Sequence, residues 1–451
     1  MAKIVIIGAG LTGISAAYHL EQAGYDDYEL LEQEDSIGGL CRSMQQDGFI
    51  FDYTGHLLHL SNPYARSLIN SVFPEENFEH IVRRSAIYSH NTYTRYPFQI
   101  NLHGLPPEVI VDCIESFVNR PQAAAGTPVQ SFREWVLTNF GDGLGRHFFF
   151  PYQQKIFDIP LDELSASWTG RFVPSTSLGD LLRGALGVTT EEVGYNAAFF
   201  YPKAGGIIQW VQALYDQLRK PARTNHKVVA IDGKSKTIRC DNGYETSFDH
   251  IISTMPLDLL IDRLQEKSNT ELYRARPHLR CASVTNLNFG IKRPKVIDSH
   301  WVYYPETQFP FYRLGFPTNL TSSMAPAGHS SLSGECSHLY RTDEEIKNLT
   351  TKSRDSIFQL FKIDATEIAS TKIITIPHAY VIFDAWRDTH LAKTLEQLES
   401  DYHINSTGRY GAWKYASMQE ALLDGKDAAE KAITYVHPTT EVASYEYISS
   451  P

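Results

Sequence analysis

The sequence predicts an α/β fold, and three observations predict it. Near the N-terminus a β-rich apolar run, KIVII at 3–7, leads into a glycine-rich turn, a helical stretch and a second strand ending at Glu32. Residues 100–195 carry mostly helical patterning. Residues 281–335 hold several short β-like runs that suggest an antiparallel sheet.

Each element follows from local pattern. The first turn reads GAGLTG and opens ISAAYHLEQAG, in which Ile14, Ala17 and Leu20 recur at helical spacing. Helices are expected at 62–73 and 106–119, each with proline near its first turn (Pro63; Pro106 and Pro107), and from Ser131 to about Ile156. KVVAIDGKSKTIRCDNGYETSFDHIISTM alternates apolar and polar residues around an Asn-Gly turn at 242–243, a hairpin signal. SVTNLNFGI, HWVYYP, FYRLGF and HSSLSGEC supply the strands of the later sheet. A helix from about Asp343 to Phe361, a strand at KIITIP and a last helix at 417–435 complete the pattern. Ser417 and Glu420 stand three apart, as a capping box requires.

Composition narrows the function. With 451 residues the chain exceeds one hydrophobic core, so two or three domains are expected. The net charge is −11 and no Lys/Arg run stands out, which argues against a nucleic-acid partner. Cys41, Cys113, Cys240, Cys281 and Cys336 are scattered without a CxxC pair, a pattern of reduced thiols, with no disulfide framework or metal site expected. No signal peptide and no run of 18 apolar residues is found, so a cytoplasmic protein without a membrane span is expected. Oligomeric state is not readable.

Gly8, Gly10 and Gly13 form GxGxxG between a strand and a helix. The first glycine permits the tight turn, the second the approach of pyrophosphate, the third close helix–strand packing. Leu11 and Thr12 lie inside the motif, and Glu32 follows Gly13 by nineteen residues, where an acid binds ribose hydroxyls. These residues predict a Rossmann-like dinucleotide site.

The continuation EQEDSIGGLCRSMQQDGFIFDYTGHLLH resembles the extended FAD fingerprint of the amine oxidase and mutase superfamily. That resemblance assigns Gly38, Gly39, Leu40 and Ser43 to the cofactor's pyrophosphate and ribityl region. It adds Val228 to the cofactor set and identifies Ser253-Thr254-Met255 with the segment that closes the FAD domain. Arg42 is read equally as a phosphate partner or a solvated loop residue.

A string of further motifs resembles the UDP-galactopyranose mutases of the eukaryotic type. It consists of FDYTGHLLH, YPFQINLHGLP at 96–106, PYQQKIFDIP at 151–160, NAAFFYPKAGGI at 196–207, WVYYPETQFPFYR at 301–313 and GRYGAWKYASM at 408–418, in family order. The resemblance implies that Gly55 and His56 lie against the flavin. It implies that Arg171 and Arg313 clamp a diphosphate, and that Arg409 lies near flavin and sugar. Asn196, Tyr380 and Tyr415 then assist at phosphate or sugar, Tyr96 and Gln99 sit with the uridine, and Trp301 and Tyr303 flank the sugar. The implied reaction interconverts the pyranose and furanose forms of a UDP-sugar, with reduced FAD as nucleophile and NADPH or NADH as its reductant. Arg forks suit phosphate oxygens and keep their charge at any working pH.

The sequence departs from the family at several points. Gln153 stands for Asn, Phe157 for Trp, Thr54 for one loop Gly and His59 for Phe, and Gln419 occupies the Asn position after Tyr415. Two other readings compete. One is an FAD oxidoreductase of the amine oxidase or protoporphyrinogen oxidase type, which shares residues 1–60 fully. The other is a flavin-binding protein without catalysis. The expected organisation is a discontinuous FAD-binding domain (1–95, 196–280, 365–440), a helical substrate domain (96–195) and an antiparallel sheet domain (281–364), with a mobile lid near 172–195.

Overall fold

The computed structural model describes residues 2–122, 131–188, 197–265 and 270–436, apart from the side chains of Arg171 and Thr270. The chain divides into two compact units, Met1–Gly39 with Gln212–Arg276 and Ala392–Pro451, and Leu40–Val211 with Pro277–Leu391. The fold is α/β, as expected.

In the first unit a parallel sheet runs in the order Ile404–Ser406, His250–Ser253, Ile4–Ile7, Tyr28–Leu31. Ile4, Val5 and Ile6 are fully buried, which is why this strand reads as an unbroken apolar run rather than an alternating one. The helix Leu11–Gln22 follows it and packs against the last helix, Met418–Val436. The capping box there is as expected: the Ser417 N–H donates to Glu420 Oε2 at 2.7 Å and the Glu420 N–H to Ser417 Oγ at 3.2 Å. The hairpin signal resolves into an antiparallel three-strand sheet, Val228–Asp232, Thr237–Cys240 and Glu245–Ser247.

The second unit is built on a seven-stranded sheet. Its order is Ile368–Val381, Cys281–Ile291, Ser330–His338, Arg313–Gly315, Trp301–Tyr303, Ser85–Ser89, Thr92–Arg95. The last two strands, and much of the length of Ile368–Val381, extend the sheet beyond the runs read from sequence. Strand alternation sorts its side chains onto two faces. Leu287, Phe289, Val302, Leu314 and Leu332 join a buried apolar cluster that includes Ile357 of the helix Asp343–Phe361. The intervening positions, Asn286, Asn288, Trp301, Tyr303, Arg313, Ser333 and Glu335, belong to the opposite face.

One expectation changes. The single helix from 131 to 156 is three pieces, Phe132–Leu144, a π-turn Gly145–Phe149 and Phe150–Phe157. Within the first piece Gly141 makes a kink at φ +82°, where a Cβ would lie 2.3 Å from the Ser116 carbonyl of the adjoining helix Pro107–Val118. In the segment proposed as a lid, Leu178–Ala185 is a helix opened by a Ser177–Asp180 capping box. Its Gly184 is a packing residue, with the Ile100 carbonyl 2.1 Å from where a Cβ would stand. Residues 189–196 of that segment, including Asn196, lie outside the described residues. Among the described residues no helix is long and apolar enough to cross a membrane.

Candidate functional site

The first unit supplies a dinucleotide cradle. Gly8 leaves its strand at φ +100°, and a Cβ there would lie 2.3 Å from Thr254 Oγ1; a Cβ at Gly13 would lie 1.9 Å from the Gly8 carbonyl. No side chain could stand at either position, so turn and helix approach as the motif demands. The helix Leu11–Gln22 starts at Gly10 without a side-chain cap and without an acid in its first turn, which suits an anionic diphosphate. Gly38 bridges to Gly10, and Gly39 sits beside it, 3.1 Å from a Cβ to the Gly10 Cα. Leu11 and Thr12 are buried.

Glu32 is buried at the end of its strand, where its carboxylate accepts the Ala9 N–H at 2.7 Å and the Glu34 N–H at 3.0 Å. It therefore braces the glycine turn. Val228 is buried two residues beyond His226, whose N–H donates to the Glu32 carbonyl at 2.7 Å. Arg409 and Tyr415 also belong to this unit. The Arg409 guanidinium donates to the Ala416 carbonyl at 3.0 Å and lies 5.3 Å from the Tyr415 ring centroid. These residues fit a dinucleotide such as FAD.

The second unit holds a pocket on the polar face of its sheet. Thr54, Gly55, His56 and Leu57 form one wall, and Asn288, Trp301, Arg313, Gly315, Ser333 and Glu335 another. Strand register explains the grouping. One row across the sheet runs Asn286, Glu335, Arg313, Tyr303; the next runs Asn288, Ser333, Gly315, Trp301. A Cβ placed on Gly55 would lie 3.8 Å from Arg313 Nη2.

Arg313 is not a bare cation. Its Nε and Nη2 donate to Glu335 Oε1 at 2.9 and 2.7 Å, and Nη2 also to Oε2 at 2.8 Å. Its Nη1 has no hydrogen-bond partner among the described residues. Glu335 is 1% exposed and also accepts the Tyr312 hydroxyl, which is 3.1 Å from the Tyr380 hydroxyl. Burial lowers the Arg313 pKa, but Glu335 and the neighbouring tyrosines outweigh it and hold the cation firmly.

Aromatic rings close the far side of the Arg313 row. Tyr303 lies 5.1 Å from Tyr96 and 5.4 Å from Tyr152, and Phe157 6.2 Å from Tyr380, between ring centroids. Burial drives the Tyr152 hydroxyl well above its usual pKa, so it remains a neutral donor. Trp301 is buried, and its indole N–H has no partner among the described residues.

The structure thus brings Gly55, His56, Tyr96, Trp301, Tyr303, Arg313 and Tyr380 into one region of the second unit. Ser43 and Gln99 each hold a bond within the protein. The Ser43 hydroxyl donates to Asp52 at 2.6 Å, beside the Tyr201 hydroxyl bond to the same carboxylate at 2.5 Å. The buried Gln99 amide donates to the Pro174 carbonyl at 2.7 Å. Leu40 is half-buried on the short turn Gly39–Cys41. Arg171 lies on the helix Thr169–Phe172, with its side chain outside the described residues.

Sequence reasoning missed Glu335, Tyr152, Tyr312 and Asp52. Glu335 stands in the sequence as a lone acid among small residues in HSSLSGEC, but its pairing with Arg313 is visible only in the strand register. Asp52 had no readable signal; two of its partners, Tyr201 and the Ile207 N–H, are distant in sequence, and Ser43 meets it only across a strand pair.

The profile of the flavin containing amine oxidoreductases matches residues 11–433. A solved structure described as reduced UDP-galactopyranose mutase superposes with a TM-score of 0.89 over 96% of this chain and 94% of that one, at 28% identity. A probable UDP-galactopyranose mutase of Klebsiella pneumoniae is 26% identical over 172 residues, 37% of this chain and 43% of that protein. A zeta-carotene-forming phytoene desaturase of Myxococcus xanthus is 22% identical over 385 residues, 73% of this chain and 71% of that protein. The match thus spans less than half of the Klebsiella relative.

Proposed function

The chain belongs to the flavin containing amine oxidoreductase family, and we propose that within it this enzyme is a nucleotide-sugar mutase that interconverts UDP-galactopyranose and UDP-galactofuranose. The observation that carries the reading is the pocket beside Gly55 and His56, where a fixed arginine stands among tyrosine hydroxyls. The likeness to a UDP-galactopyranose mutase over nearly the whole chain supports it. Neither relative supports the eukaryotic type; the curated one is bacterial.

Gly8, Gly10, Gly13 and the first turn of the following helix would hold the FAD diphosphate, and Gly55 and His56 would meet the flavin. Reduced by NADPH or NADH and bound, the cofactor supplies a nucleophilic N5 for the anomeric carbon of the sugar. The chain's own residues bind and orient. Arg313 offers Nη1 to a diphosphate oxygen, and stabilises the nucleoside diphosphate as its bond to the sugar breaks. Tyr303 and Tyr380 add neutral donors that do not repel that cation, while Tyr312, whose hydroxyl donates to Glu335, helps to fix the Arg313–Glu335 pair. Trp301 offers an indole N–H from the adjoining row. Arg171, Asn196, Arg409 and Tyr415 are proposed to complete the substrate contacts.

One observation favours a second reading, an FAD oxidoreductase. Glu335 cancels the charge of Arg313, which weakens the case for a diphosphate clamp, and the desaturase match is long. UDP binding separates the two. On the mutase reading UDP perturbs the flavin absorbance of the holoprotein at micromolar concentration, and Arg313→Ala abolishes the change. A holoprotein indifferent to millimolar UDP contradicts it.

A further inference from the structure

Lys155 lies outside the substrate set yet is tied to both strands that carry it. It belongs to the helix Phe150–Phe157, and its ammonium donates to the carbonyls of Tyr304 at 2.7 Å, Phe311 at 3.3 Å and Glu306. Those three carbonyls belong to one turn, the connection between Trp301–Tyr303 and Arg313–Gly315. Tyr304 is the residue after the first strand. Phe311 is two residues before the second. Tyr303 and Arg313 are the register pair nearest this turn. One side chain therefore grips both ends of the connection.

The stoichiometry is specific. An ammonium has three N–H donors, and three carbonyls meet it. The same helix presents Tyr152 one turn earlier against Tyr303 and Tyr312. Charged groups around Lys155 leave it unpaired by a carboxylate. Glu306 turns its two oxygens to the His90 N–H at 2.9 Å and the Gln308 amide at 2.8 Å. Cys336, the other titratable group that acts on Lys155, is a buried thiol hydrogen-bonded with Ser353.

We propose that Lys155 is a positioning residue for Arg313 and Tyr303, holding the turn that sets both side chains over the pocket, and that its three donors are needed for anionic-ligand affinity. The statement about affinity rests on the nucleotide-sugar reading. Burial brings the Lys155 ammonium down to a pKa of about 7. A neutral amine has two donors and a lone pair, so one carbonyl loses its bond when the proton leaves. Positioning should therefore weaken as pH rises through neutrality.

The test uses the FAD-loaded protein, wild type and Lys155→Met, with UDP as the probe and calorimetric titration at several pH values. Amide hydrogen exchange over residues 304–312 is followed in parallel. Lys155→Met should keep the flavin spectrum yet lose about tenfold in UDP affinity at pH 6.5, the scale of one charge-assisted hydrogen-bond set. The gap between the two affinities should narrow by pH 8, and exchange at 304–312 should quicken in the variant. Equal affinities at pH 6.5 with equal exchange overturn the proposal. Should Lys155→Met fail to fold, Lys155→Gln, with two donors, is read in the same way. If wild type binds no UDP, the function reading fails by itself. The exchange comparison still decides the role of Lys155: faster exchange confined to 304–312 supports it, and unchanged exchange refutes it.

Discussion

Arg313 and Glu335 face each other across neighbouring antiparallel strands, with the Arg313 Nη2 at 2.7 and 2.8 Å from the two Glu335 oxygens. The pair is fixed by register before any ligand arrives. Glu335 thereby aims the guanidinium, and it lowers the net charge that the pocket presents.

Glu335→Gln tests this aim. The variant keeps one acceptor but leaves a half-buried guanidinium and the Tyr312 hydroxyl short of a partner. Breaking such a pair should cost about 3 kcal/mol of stability, measured by chemical denaturation. UDP affinity should fall in the same variant, because freed Arg313 loses its geometry. Unchanged stability would mean that the pair is not formed in solution.

Thr54 stands where the resemblance expects glycine, and its φ is +78°. A β-branched residue there is strained, at about 1–3 kcal/mol. Thr54→Gly relieves the strain but adds about 0.5–1 kcal/mol of unfolded-state entropy. A net gain of about 1 kcal/mol in denaturant midpoint analysis is expected. A loss of stability would show that the threonine side chain makes up the difference.

Asp52 is buried among Ser43, Tyr201 and the Ile207 N–H, and burial raises its pKa to about 6 despite those donors. Its folded pKa thus exceeds the unfolded value. Between about pH 4 and 6 the unfolded chain sheds this proton first, so stability falls as pH rises through that window. The buried His250 and His300, each lowered to about 4 by burial, act in the opposite sense. The contribution of Asp52 is therefore read as the difference between wild type and Asp52→Asn. Wild type should lose stability relative to Asp52→Asn from pH 4 to 6, with no further change above.

Gly13→Ala tests the cradle. The added methyl would stand 1.9 Å from the Gly8 carbonyl, a backbone atom that cannot rotate away. The purified variant should be colourless or nearly so, while wild type is yellow. Full flavin content in the variant would relocate the cofactor site.

How much could be read from the chain differs by kind of signal. Local patterns carried furthest: the Gly8–Gly13 turn, the Ser417–Glu420 cap and the helix Asp343–Phe361 stand where spacing put them. Long-range pairing was invisible. Nothing near Arg313 announces Glu335, because the register that joins them is set by a sheet spanning residues 85–381. The Ser43–Asp52 bond likewise becomes visible only once the two strands Ser43–Gln46 and Phe49–Asp52 pair. The kink at Gly141 depends on a carbonyl of another helix, which no helical periodicity encodes.

The most direct test of the central claim is an anaerobic incubation of dithionite-reduced protein with UDP-galactofuranose, followed by chromatography of the nucleotide sugars. The account predicts UDP-galactopyranose as product, only while the flavin is reduced, with no net consumption of reductant. Absence of conversion by a fully reduced, flavin-loaded protein would contradict it.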